Sequence, residues 1–131
     1  MKQTRWLIIS GALLALLSVI LGAFSAHALK SLLDDYSLGL FKTASSYQMY
    51  HALALITCGL LSLNRNFSGF WLKLSGLSFI LGTFLFSGSL YLLAISGIKW
   101  LGAITPLGGL GFIIGWTAMS IAVYKGADEK S

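Results

Sequence analysis

The chain has 131 residues, of which 56% are hydrophobic and 10% charged, against roughly a quarter charged in a soluble domain, and this much apolar surface excludes a water-soluble fold. Nine Lys and Arg against four Asp and Glu give a net charge of +5, but the basic residues are scattered between apolar runs, which excludes a nucleic-acid partner and fits a membrane protein. One cysteine, Cys58, excludes an intrachain disulfide, and one proline with no low-complexity tract leaves no linker, so a single transmembrane domain over residues 1–131 is expected.

Crossing about 30 Å of hydrocarbon at about 1.5 Å per residue takes about 20 apolar residues, and four stretches qualify. The first covers residues 6–28, with no charge between Arg5 and Lys30. Its basic start and the Ala26-His27-Ala28 tripeptide imitate a secretory signal, but the apolar run is longer than a signal core of roughly 7 to 15 residues, so an uncleaved span is expected. Gly11, Ala15, Ser18, Gly22 and Ser25 fall on one stripe of this helix, a seam that lets a neighbouring backbone approach. His27 stands at its exit. Residues 30–43 mix Leu32, Leu33, Tyr36, Leu38, Leu40 and Phe41 with Asp34, Asp35 and Lys42; they read as a short interfacial helix, an extension of the second span, or a plain connection.

The second span covers residues 45–63. Tyr47, Gln48 and His51 share an arc of roughly 100° on it, and His51, nine positions past Lys42, lies about 13 Å inside the bilayer. The third covers residues 71–96, with Lys73 close enough to its start to snorkel; Thr83, Ser87 and Tyr91 share one face. Its segment Leu77-Ser78-Phe79-Ile80-Leu81-Gly82-Thr83-Phe84 echoes Leu17-Ser18-Val19-Ile20-Leu21-Gly22-Ala23-Phe24, as two related helical hairpins about a pseudo-two-fold along the membrane normal would. The fourth covers residues 100–124, with Pro106 expected to kink its first turns and a second small stripe at Gly108, Gly111, Gly115, Ala118 and Ala122. The Gly109-Leu110-Gly111 run lacks the strand that a dinucleotide fingerprint needs.

The expected fold is therefore all-α, a polytopic four-transmembrane-helix bundle, since lipid offers no partner to a free backbone amide and the alternation of a barrel is absent. Lys2, Arg5, Arg65, Lys73, Lys125 and Lys130 fall on one side, and Lys30, Lys42 and Lys99 on the other. The side with six is expected to be cytoplasmic, placing both termini there.

Ser and Thr in the cytoplasmic half, such as Ser10 and Thr117, can bond their own helix. The outer half carries His27, Gln48, His51, Ser87, Tyr91 and Thr105, which are expected to converge on one polar locus with His27 at its mouth, because each is costly against lipid. Two histidines without paired spacing and no acid or thiol at their depth point to no metal and no cofactor. With no carboxylate in a span and no Gly-x-Ser-x-Gly elbow, no catalytic residues are expected.

Four stretches carry a resemblance: residues 21–29 (Leu21-Gly22-Ala23-Phe24-Ser25-Ala26-His27-Ala28-Leu29), Tyr47-Gln48-Met49-Tyr50-His51-Ala52-Leu53-Ala54, Leu85-Phe86-Ser87-Gly88-Ser89-Leu90-Tyr91 and Ile104-Thr105-Pro106-Leu107-Gly108-Gly109. With them the chain resembles the small bacterial membrane proteins of domain of unknown function 423, and more loosely the eukaryotic transmembrane protein 256 family. The family pattern more often has Gly at the position of Ser25. The resemblance implies a four-helix protein of the bacterial inner membrane and no established activity. The expected function is a non-enzymatic structural or interaction role, with the lipid bilayer, a homo-oligomer or other membrane proteins as partners. The alternative is a small oligomeric transporter or channel with its site around His51.

Overall fold

The computed structural model describes residues 2–128, which form four long helices: α1 Lys2–His27, α2 Asp35–Leu61, α3 Gly69–Ser96 and α4 Thr105–Asp128. Among the described residues there is no strand. Lys130, counted in the charge asymmetry, lies outside them. Three stretches, Thr4–His27, Gly69–Ser96 and Lys99–Gly126, are apolar and long enough by themselves to cross a membrane. The helix α2 is as long, but its sequence is diluted by polar residues that it turns inward: Ser45, Gln48 and His51 are buried, while Leu53 and Leu60 face out.

Of the readings open for residues 30–43, extension of the second span is the one that forms. A short 3₁₀ turn, Leu29–Ser31, leads to Asp34, whose carboxylate accepts the Ser37 N–H at 2.7 Å and caps α2. Asp35 then sits in the first turn, favourable to the helix dipole. The extension is held by a small core in which Phe41 is buried with Leu29 and Ala94, and Leu33, Leu38 and Tyr91 pack around it.

Pro106 requires a correction. A second 3₁₀ turn, Lys99–Ala103, precedes α4, and Pro106 is only the second residue of that helix. Its missing N–H would have had no intrahelical partner there, so the proline starts the helix rather than kinking it. The turn before it is made by Gly97, whose φ of 69° is the only positive value among the described residues.

Close packing is sequential, α1 on α2, α2 on α3 and α3 on α4. The expected stripes are the seams except at Gly22, where a Cβ would meet only the Ser45 hydroxyl at 3.9 Å. Gly11 lies against the Ala52 carbonyl and Ile56 of α2, and Gly115 lies under the Phe79 ring of α3. Gly108 is so close to the Phe86 backbone that a Cβ would overlap it. The echoed segments have corresponding places in their hairpins: Ser18 and Gly22 face α2, and Gly82 faces α4. A full two-fold is not built, however. It would require α1 to pack on α4 as α2 packs on α3, and α1 and α4 instead stand at opposite flanks of the central α2–α3 pair.

Candidate functional site

The six expected polar residues separate into distinct groups. Gln48 donates through Nε2 to the Leu14 carbonyl at 2.8 Å and accepts the Tyr91 hydroxyl at Oε1 at 2.7 Å, joining α1, α2 and α3. Beside it Ser87 donates to the Ala44 carbonyl at 2.7 Å, and Ser18 donates to the Ser45 carbonyl at 2.7 Å. A small cavity of about 210 Å³ adjoins this group. Thr83, which also lines it, carries the one buried side-chain oxygen that lacks a hydrogen-bond partner among the described residues.

His51 belongs to a second group. It lies about 24 Å along α2 from Asp35, near the middle of the helix, and is buried. Three positions from Gln48, it is rotated about 60° around the helix, and so turns toward α4. Its ring lies parallel to Phe112, with centroids 3.4 Å apart and planes within 4°. The Trp116 indole N–H lies 3.2 Å from Nε2, and Nδ1 lies 2.7 Å from the Tyr47 carbonyl. Since an indole only donates, Nε2 accepts and Nδ1 carries the proton that goes to Tyr47. Both ring nitrogens of a neutral His51 are thereby committed.

Thr105 forms a third group, its hydroxyl 2.6 Å from that of Ser89. His27 is exposed and belongs to none of these groups. The expectation of one converging locus is corrected accordingly, because the central α2–α3 pair presents different faces to α1 and to α4. Sequence reasoning missed Trp116 and Phe112 as the partners of His51. The available signal was an indole N–H deep inside an apolar span, which needs an acceptor.

Other buried hydroxyls also tie helices together. Ser75 donates to the Gly115 carbonyl at 2.7 Å, with the Cys58 thiol 3.3 Å away, and the hydroxyls of Ser18 and Ser87 likewise serve carbonyls on other helices. No carboxylate appears in these groups, and no cluster of three His, Cys, Asp or Glu that could hold a metal occurs among the described residues.

Outside His51, a groove of about 720 Å³ runs between α2 and α4. Tyr47, Tyr50, Phe86 and Trp116 wall it, and Pro106 and Gly109 leave one edge low. Tyr47 stacks on Phe86 at 4.6 Å. Tyr50 is 57% exposed and Tyr47 39%, and neither hydroxyl has a hydrogen-bond partner among the described residues.

The sequence model of a family described as protein of unknown function (DUF423) matches residues 21–109. A UPF0382 membrane protein of Staphylococcus aureus (strain bovine RF122 / ET3-1) is 47% identical over 122 residues, covering 90% of this chain and 94% of the relative. The UPF0382 membrane protein YwdK of Bacillus subtilis (strain 168) is 46% identical over 118 residues, covering 90% and 95%. No solved structure matches.

Proposed function

Since the chain belongs to the DUF423 family of membrane proteins, to which no activity is assigned, we propose that it acts without catalysis, as an inner-membrane protein that associates with a second copy of itself through the groove between α2 and α4. The observation that carries this reading is the pair of hydroxyls on Tyr47 and Tyr50. Each lies on the outward side of a transmembrane helix without a partner, where an unpaired polar group is costly in lipid. A phenol both donates and accepts, so two identical faces brought together about a two-fold satisfy each other. The aromatic walls supply contact area, and the low edge at Pro106 and Gly109 admits a neighbouring helix closely.

The commitment of the polar groups supports a role without catalysis. His51 has no free nitrogen, and the buried serines of the helix interfaces donate to carbonyls. Both termini face the cytoplasm in this reading, from the excess of basic residues at that end. The test is the mass of the native chain and of a Tyr47→Phe/Tyr50→Phe variant in mild detergent. A native dimer that the double variant weakens supports the reading. A native monomer rejects it.

A further inference from the structure

We propose that the pocket where the start of α1 meets the α2–α3 turn binds a phosphate group, carried by an anionic phospholipid or free in solution. The pocket has a volume of about 300 Å³ and is lined by Thr4, Trp6, Ser62, Asn64, Arg65 and Lys73, with Gly69 at one side. Four observations meet there. Among residues 4–126, Arg65 and Lys73 have no carboxylate within ion-pair distance, and Asp34 and Asp35 lie at the opposite end of α2, about 40 Å away. The pocket at that opposite end is lined by Asp34 as well as Lys99, so an anion there would meet a carboxylate in the lining.

The 28-residue helix α3 begins at this pocket uncapped. Ser68 makes no side-chain capping bond, and no acid occupies the first turn. The first N–H groups of a helix have no intrahelical partner and carry the positive end of its dipole, an arrangement that holds oxyanions. Nothing lies within 4 Å of where a Cβ would stand on Gly69, so an anion can approach the backbone. Finally, Thr4 is only 6% exposed and lines the pocket, and its hydroxyl, which unlike that of Thr83 is not closed off, makes no hydrogen bond to another described side chain or carbonyl. A bidentate guanidinium, an ammonium, free amides and a hydroxyl together match a phosphate. With Trp6 as an interfacial side chain, the site sits at the depth of phospholipid headgroups.

The chain offers one competitor of its own. Gly126 of α4 abuts the Asn66 carbonyl and Phe67, and Asp128 and Glu129 follow it in sequence.

The experiment titrates the full chain, in non-ionic detergent, with phosphatidylglycerol, phosphatidylcholine and inorganic phosphate, following tryptophan fluorescence. Phosphatidylglycerol should bind saturably and about tenfold or more tighter than phosphatidylcholine. Arg65→Gln/Lys73→Gln should lose that margin and Lys99→Gln should keep it. Raising salt from about 50 mM to about 500 mM should weaken binding in the native chain, a readout independent of any variant. Competition by inorganic phosphate would assign the site to the free anion, and none would assign it to the lipid headgroup. Equal affinity for the two lipids with no response to phosphate overturns the proposal, as does unaltered binding in the Arg65/Lys73 variant. Phosphatidylglycerol binding that appears only in Asp128→Asn/Glu129→Gln also overturns it, because the pocket then belongs to the chain's own tail.

Discussion

The imidazole of His51 lies flat against the ring of Phe112, with centroids 3.4 Å apart, while its Nε2 accepts the indole N–H of Trp116. Two residues of α4 are thus clamped to one residue of α2, although those helices do not pack closely along their backbones. A His51→Leu substitution should lose about 1–3 kcal/mol, because it leaves the Trp116 indole N–H without an acceptor, while the Tyr47 carbonyl keeps its helix bond. Trp116→Phe should cost less, since Nε2 of His51 then faces the groove. Thermal unfolding in detergent measures both. A His51→Leu chain as stable as the native one would contradict the clamp.

The glycine seams are not equivalent. Gly108→Ala should cost about 1–3 kcal/mol through overpacking, because the new methyl overlaps the backbone of Phe86. Gly115→Leu should be worse still, since even a Cβ comes within 2.5 Å of the Phe79 ring. Gly22→Leu should be far milder than sequence spacing suggests, because the nearest atom to its Cβ position is the Ser45 hydroxyl at 3.9 Å. Leu13→Phe, on the lipid face, should change little. Folded yield ranks all four, and equal tolerance would contradict the seams.

In the group between α1 and α3, Tyr91→Phe removes the donor to Gln48 and should cost about 1 kcal/mol, with a Gln48→Leu/Tyr91→Phe double variant losing less than the sum of the two. Thr83 should behave oppositely. Its hydroxyl is buried and unpaired, so Thr83→Val should be neutral or stabilising by up to about 1–2 kcal/mol. A Thr83→Val chain that melts well below the native one would show that the hydroxyl has a partner after all.

The helical spans were legible because apolar length is itself the signal, and the small stripes of α1 and α4 fall at helical spacing along the sequence. The start of α2 was harder. The Asp34-Asp35 pair, of which Asp34 caps it, also reads as a polar loop, and only the packing of Phe41 on Leu29 and Ala94 decides between them. The grouping of the polar residues was not legible either. Depth placed Gln48 and His51 within one turn of each other, but the 60° between them becomes decisive only once α1 and α4 stand on opposite flanks. Helical phase gives a direction; the neighbour in that direction comes from tertiary packing.

Outside the membrane, the Ser37 N–H bonded to Asp34 holds its carboxyl below the ordinary 3.8. A lowered value means that the cap is fully present above the ordinary value and is lost as pH falls through and below it. The melting temperature of the native chain should therefore drop on acidification below about 4. Asp34→Asn, which still accepts the bond but does not titrate, should flatten that drop. Identical acid profiles for the two chains would remove Asp34 as the cause.

The association of two copies through the groove is tested most directly by cysteine cross-linking in native membranes. Single cysteines are placed at Tyr50, Leu110 and Ile113 on the groove side, and at Ile9 and Val19 on the exposed face of α1. The native Cys58 is fully buried, so it contributes no background. Oxidation should give a covalent dimer at one or more of the groove positions and none at Ile9 or Val19. Dimers at the α1 positions with none along the groove, or no dimer anywhere, would contradict the account.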